Sequence, residues 1–264
     1  MARVRPGEAA NPAPPTVQRI RVRFAKRGRL RFLSHRDVAR SVERAVRRAG
    51  IPVSHSHGFS PHPRLSWIGA APTGVASEAE YLEIGLTRPL DPAALAAALD
   101  AALPDGLDVL AATVAEGTPL ADRIDASEWR VELPGVDVDE LRRAVAALEA
   151  ADAVVVERVT PSGRRQVDVR AALARAEVEA PEPTPEPTPE STSAPGATDC
   201  AILTAVVRQT TPAVRPDDVL GALDVVAGLR LPAPAKATRV AQGLLDDRGR
   251  LTDPLGPDRV TARA

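Results

Sequence analysis

All four histidines of the chain, His35, His55, His57 and His62, fall within 28 residues, and five of its six aromatic residues lie between Phe24 and Tyr81. Reactive side chains are therefore gathered in the first third, and three chemistries are open to them. A His-x-His pair on extended backbone puts His55 and His57 on one side, and His62 adds a third imidazole, the donor set of a hydrolytic zinc centre. The spacing in "HSHGFSPH" matches no specific ligand pattern and no carboxylate is placed to orient the rings, so this metal site is an alternative and the expected metal complement is none. Acid–base chemistry is the second possibility, a small hydrolase or transferase using His35, His62 and Glu80, the last from the strand-like "SEAEY". Binding is the third and best supported. Arg31, Arg36, Arg40, Arg44, Arg47 and Arg64 supply contacts for phosphates or an acidic partner, Phe59 a surface for stacking, and His62 a more specific donor.

The stretch "GFSPHPRLSW", residues 58 to 67, sets His62 between Pro61 and Pro63 and follows them with Arg64. Proline fixes its own φ and pushes the preceding residue toward extended geometry, so these side chains are presented by a stiff backbone. Other chemistries are excluded by what is missing. Cys200 is the single cysteine, which rules out an internal disulfide or a multi-thiolate centre, and there is no glycine-rich phosphate loop or dinucleotide fingerprint.

Charge is distributed unevenly. The first 64 residues carry 15 Arg or Lys against Glu8, Asp37 and Glu43, a net of +12, while the remaining 200 carry 19 basic and 32 acidic residues, a net of −13. Such a basic segment attracts phosphate backbones or an acidic protein surface, with an affinity that salt weakens. No apolar run reaches the length of a membrane span, so no membrane partner is expected and the cytoplasm is the expected location.

These side chains must be held by elements readable in order. "VQRIRVRF" alternates apolar residues with Arg19, Arg21 and Arg23, predicting a half-buried strand with an arginine outer face. Ser34 and Asp37 form a helix start signal, and the helix runs to about Ala49. On its wheel Val38, Val42, Ala45, Val46 and Ala49 share one arc, and Arg36, Arg40, Arg44, Arg47 and Arg48 the opposite one. "RLSWIGA" and "EAEYLEIGL" follow as strands, then a helix opening at Asp91–Pro92, then the strand "LDVLAATV". The order is βαββαβ, and a similar order follows from "EWRVELPG" to "ATRVAQGLLDD", with "RRQVDVRAALARAEVE" extended but without clear boundaries. The expected fold is α+β, two tandem ferredoxin-like βαββαβ split sandwiches. The expected layout is a disordered N-terminus (1–16), a basic domain with the motif region (17–120), a second domain (127–250) interrupted by a Pro/Glu/Thr-rich disordered insertion (180–197), and a C-terminal tail (251–264).

The stretch "KRGRLRFLSHRDVARSVERAVRRAGIPVSHSHGFSPHPRLSWIGAAPTGVASEAEYLEI" resembles the radical SAM-linked family, a bacterial domain of unknown function fused to, or encoded beside, a radical S-adenosylmethionine protein. The resemblance is specific over about residues 18 to 115 and continues less strongly through "RQTTPAVRPDDVLGAL" and "TRVAQGLL". Its motif positions are Gly28, Leu30, Phe32, Ser34, His35, Asp37, Arg40, Glu43 and Arg44, then Gly58, Phe59, Pro61, His62 and Pro63, then Gly74, Ser77, Glu78 and Glu80. His55 and His57 stand where relatives have other residues, which singles out His35 and His62. The resemblance implies a non-catalytic accessory protein of a radical SAM enzyme, and the charge and fold pattern of its basic first domain add the expectation that it binds an RNA substrate, tRNA among the candidates. Without three cysteines spaced CxxxCxxC this chain cannot hold the cluster, so no cofactor is expected in it and the iron–sulfur cluster and S-adenosylmethionine would belong to the partner. A protein-docking module for that partner, without nucleic-acid binding, is the alternative.

Overall fold

A computed structural model describes residues 14–57, 59–160, 163–180 and 200–261, and the chain divides into two compact units. The first unit comprises the residues up to Arg123 together with those from Asp253, and the second is Ile124–Thr252. The architecture is α+β.

In the first unit, β1 (Gln18–Lys26) sits between β4 (Val109–Val114) and β3 (Ala76–Leu86), and β2 (Leu65–Ile68) pairs with β3, every pairing antiparallel. Alternation sends Ile20, Val22 and Phe24 of β1 and Leu82, Ile84 and Leu86 of β3 to one face. That face is covered by α1 (His35–Arg48) and α2 (Pro92–Asp100), which bury Val38, Val42, Ala45 and Val46 and then Leu95 and Leu99 against it. Burying a valine or leucine side chain contributes about 1.5–3 kcal/mol, enough for this apolar face to fix how α1 lies. The Ser34 hydroxyl caps α1, accepting the Asp37 N–H (3.3 Å) and donating to the Asp37 carboxylate (2.6 Å).

The second unit runs β5 (Ala126–Pro134), α3 (Val138–Ala150), β6 (Val155–Thr160), β7 (Gly163–Asp168), α4 (Val169–Ala172), β8 (Leu173–Glu179), β9 (Cys200–Arg208), α5 (Pro216–Ala227) and β10 (Lys236–Gly243). Its sheet order is β10-β5-β9-β8, while β6 and β7 form a separate hairpin. The stretch without clear boundaries resolves into β7, α4 and β8. A last helix, α6 (Gly256–Thr261), belongs to the first unit.

Three expectations are corrected. Alternation predicts Arg21 on an outward arginine face, yet it is 3% exposed. Its Nη1 donates to both Asp258 oxygens (3.1 and 2.8 Å), its Nη2 to the Thr118 carbonyl (2.8 Å) and its Nε to Glu83 (3.2 Å). Arg123 donates to the same Asp258 carboxylate at 3.0 Å. Such burial is tolerated because each charge meets an opposite one at hydrogen-bond distance. Residues 251–264 were expected as a tail, but the segment from Asp253 folds into the first unit because Asp258 supplies that carboxylate. Within the expected disordered N-terminus, Thr16 hydrogen-bonds Ser54 through its hydroxyl (2.7 Å), tied in beside the Val17 N–H that Leu86 accepts (2.8 Å). Residues 1–13 and 181–197 lie outside the described residues.

Candidate nucleic-acid interface

α1 presents its arginines outward as its sequence period requires, with Arg36, Arg40, Arg44 and Arg47 all exposed. Arg40 lies 3.7 Å from the Asp37 carboxylate, whose pKa is held below its ordinary value, chiefly by the Ser34 hydroxyl and then by backbone hydrogen bonding and Arg40. Among the described residues no carboxylate comes within ion-pair distance of Arg36, Arg44 or Arg47, while Arg48 is spent on the Ala102 carbonyl (3.2 Å). Immediately before α1 a 3-10 turn, Gly28–Phe32, sets the Arg31 guanidinium 4.6 Å over the ring of Phe32, which is 59% exposed. Gly28 opens that turn at φ +54°, a conformation costly for a side chain with a Cβ. Arg27 is withdrawn from this surface: Glu78 and Asp108 hold it, and the Glu78 hydrogen bond foremost raises its pKa.

The proline-bounded loop is built as a short arm on β3. Val53 bridges Leu86, the Ser54 N–H donates to the Gly85 carbonyl (2.8 Å), and the Gly85 N–H donates to the Arg64 carbonyl (3.0 Å). The arm closes on itself where the Ser56 N–H meets the His62 carbonyl (2.8 Å) and the His62 N–H meets the Ser56 hydroxyl (3.0 Å). Gly85 permits this approach, since a Cβ there would stand 2.7 Å from the Ser54 hydroxyl. At the tip Phe59 is 99% exposed, which removes it from any core role. Arg64 donates from Nε to the His55 carbonyl (3.2 Å), with Nη2 3.3 Å from His57 Nδ1.

A cavity of about 310 Å³ opens beside this arm, lined by Arg19, Ser56, His62, Arg64, Ser66 and Glu83 among others. Alternation puts Arg19, Glu83 and Ser66 on the sheet face opposite the one α1 covers, because their neighbours Ile20, Ile84 and Leu65 pack into the core beneath α1. The residues expected to bind thus divide into two groups, Arg31 and the α1 arginines on one face, His62 and Arg64 at the other. Arg19 of this cavity was not singled out in the sequence, where it was one of three alternating strand arginines; only the structure separates it from buried Arg21.

The catalytic alternative is not gathered. His35 packs edge-on against Trp67 (5.2 Å between ring centres) on the core side of β2, whereas His62 lines the cavity with Ser66 on the other side. Glu80 is buried and accepts the Ala71 N–H (3.2 Å), and Lys26, also buried, donates to the Ala71 and Pro72 carbonyls, so both hold that turn in place. Nor is the zinc alternative assembled: among the described residues no three His, Cys, Asp or Glu side chains converge, and the Arg64 guanidinium lies at His57 Nδ1. No helix among the described residues is long and apolar enough to cross a membrane.

Among solved structures, a chain from the crystal structure of a Cbf5-Nop10-Gar1 complex is similar, with 10% identity and a TM-score of 0.43, over 89% of this chain and 56% of that one. The chain thus spans little more than half the length of that structure. No curated protein matches the sequence. The family described as "Uncharacterized protein conserved in bacteria (DUF2344)" matches residues 19–216, three quarters of the chain and all of the arginine helix and proline-bounded arm, and the chain belongs to that family.

Proposed function

We propose that this protein is a non-catalytic accessory protein of a radical SAM enzyme, acting in the cytoplasm, and that it binds RNA, tRNA first among the candidates, through the basic face of its first unit. The carrying observation is that Arg36, Arg44 and Arg47 stand on one exposed helix face with no carboxylate at ion-pair distance among the described residues. Guanidinium groups with no carboxylate partner are free to displace counterions from a phosphate backbone, Arg44 being held only by the Ser41 hydroxyl at 3.4 Å. Phe32 and Phe59 add exposed rings on which unpaired bases can stack. The partner assignment rests on the resemblance of residues 18 to 115 and on a single cysteine, too few to hold the cluster itself. Both units are read as ferredoxin-like, supported by the repeated strand order β4-β1-β3-β2 and β10-β5-β9-β8, the second with a hairpin and α4 added after its first helix.

The test is binding of bulk tRNA at low and moderate salt by the wild-type chain and by an Arg40→Glu/Arg44→Glu/Arg47→Glu variant. Salt-sensitive binding that the variant loses is the expected result. Absence of binding by the wild type overturns the RNA reading. A second reading, docking to the partner enzyme itself, is favoured by Phe59, a fully exposed ring on a proline-stiffened arm suited to a pocket on a protein. Co-purification with the partner that survives nuclease and is lost in a Phe59→Ala variant is the result it expects.

A further inference from the structure

The cavity beside the arm has a charge balance that the α1 surface does not share. Joined to it through Glu83, Arg21 and Arg123 face Glu83 and Asp258, two cations against two anions at contact distance, so that group is neutral as a whole. Arg19 and Arg64 are left in surplus at the cavity wall. Arg19 is 59% exposed, and its closest carboxylate, Glu83 at 3.7 Å, is already engaged by Arg21. Arg64 uses one N–H on the His55 carbonyl and points another at His57, which leaves three of its five donors unspent among the described residues. The Ser56 hydroxyl oxygen accepts the His62 N–H, so its own hydrogen is free to donate, and the Ser66 hydroxyl is exposed next to Glu83 across the β2–β3 ladder.

We propose that this cavity binds a sugar phosphate monoester, the phosphorylated terminal nucleotide of an RNA or a free mononucleotide. A phosphate monoester carries about −1.5 to −2 charge near pH 7, matching the two surplus guanidinium groups, whereas an internal phosphodiester carries a single charge. Arg19, Arg64 and the Ser56 hydroxyl hold the phosphate. The cavity, about 310 Å³, is larger than a phosphate needs and stands at the lower end of small-ligand pockets. The sugar occupies the remainder, its hydroxyls donating to the Glu83 carboxylate in the way acidic residues hold ribose elsewhere. Only the choice between an RNA end and a free nucleotide rests on the RNA reading of α1, since the two surfaces lie on opposite sheet faces.

The experiment titrates the full chain with one short single-stranded RNA in three forms, bearing a 5′-phosphate, a 3′-phosphate, or hydroxyls at both ends, and separately with adenosine monophosphate by calorimetry. One phosphorylated form is expected to bind roughly tenfold more tightly than the hydroxyl form. Arg19→Gln and Arg64→Gln, each checked for a wild-type melting curve, are expected to erase that preference. Arg44→Glu/Arg47→Glu should weaken all three RNAs alike and keep it. If no RNA binds but the mononucleotide does, and Arg19→Gln abolishes that binding, the RNA reading of α1 fails and the cavity stands as a nucleotide site. If RNA binds without end preference and the mononucleotide gives no heat, the cavity proposal is overturned while the RNA reading stands. Failure of every probe to bind overturns both.

Discussion

α1 and α3 follow the first strand of their respective units and are built alike on the inside. α1 buries Val38, Val42, Ala45 and Val46, α3 buries Leu141, Ala144, Val145 and Leu148, and each is capped by a side chain that accepts a first-turn N–H, Ser34 in one and Asp137 in the other. Outside they part. On α3 the arginines are matched within the helix, Arg142 bonding the Asp139 carboxylate at 2.7 Å and Arg143 its carbonyl at 3.3 Å, with Glu140 and Glu149 nearby in sequence. On α1, among the described residues, no carboxylate pairs with Arg36, Arg44 or Arg47, and Arg44 reaches only the Ser41 hydroxyl at 3.4 Å. The fold constrains only the inner arc of each helix, so the outer arc of α1 is a surface the fold does not require, and accumulated like charge there destabilises rather than helps.

The largest expected effect lies where arginine is enclosed instead of displayed. Asp258→Ala leaves Arg21 and Arg123 buried without their shared anion, an expected loss of about 3–5 kcal/mol, read from chemical denaturation. No α1 arginine should cost more than a few tenths on removal. Reversing Arg40, Arg44 and Arg47 together is expected to lower RNA affinity roughly a hundredfold. The matching reversal on α3, Arg142→Glu/Arg143→Glu, should leave binding within about twofold. The slope of log affinity against log salt should fall by about one for each phosphate-contacting arginine removed; an unchanged slope would show that α1 does not meet phosphates. At the caps the two helices should behave alike, Ser34→Ala and Asp137→Ala each costing about 1 kcal/mol. The smallest effect belongs to pH. Asp37 has a depressed folded pKa, so its contribution is fully present above the unfolded carboxylate value of about 3.9 and is lost as pH falls through the folded value. An Asp37→Asn variant should therefore differ from the wild type in neutral solution and converge with it in acid, as followed by melting temperature against pH.

Most elements were legible because their signals are local. Period 3.6 marked α1, Ser34 and Asp37 marked its start and Asp91–Pro92 the start of α2, and alternation marked β1. "RRQVDVRAALARAEVE" gave no boundaries because α4 is four residues long, too short to show a helical period, and is flanked by strands whose alanines and arginines favour helix as much as sheet. The binding candidates were found by type and spacing. Their division between two sheet faces was not legible, because it depends on which neighbours each strand residue packs against.

By itself the sequence determined the α+β class, the βαββαβ order of the first unit, the apolar arc of α1 with its arginine outer face, and the stiff arm that displays Phe59, since each follows from residues adjacent in the chain. Tertiary structure alone decided which strand arginine is buried and which is free. Arg21 and Arg19 stand two residues apart in the same alternation, yet Arg21 meets Asp258, 237 positions away, and Arg19 opens onto a cavity. Periodicity is set by the backbone over a few residues, whereas the cost of enclosing a charge is offset only by a partner that the topology brings from elsewhere in the chain.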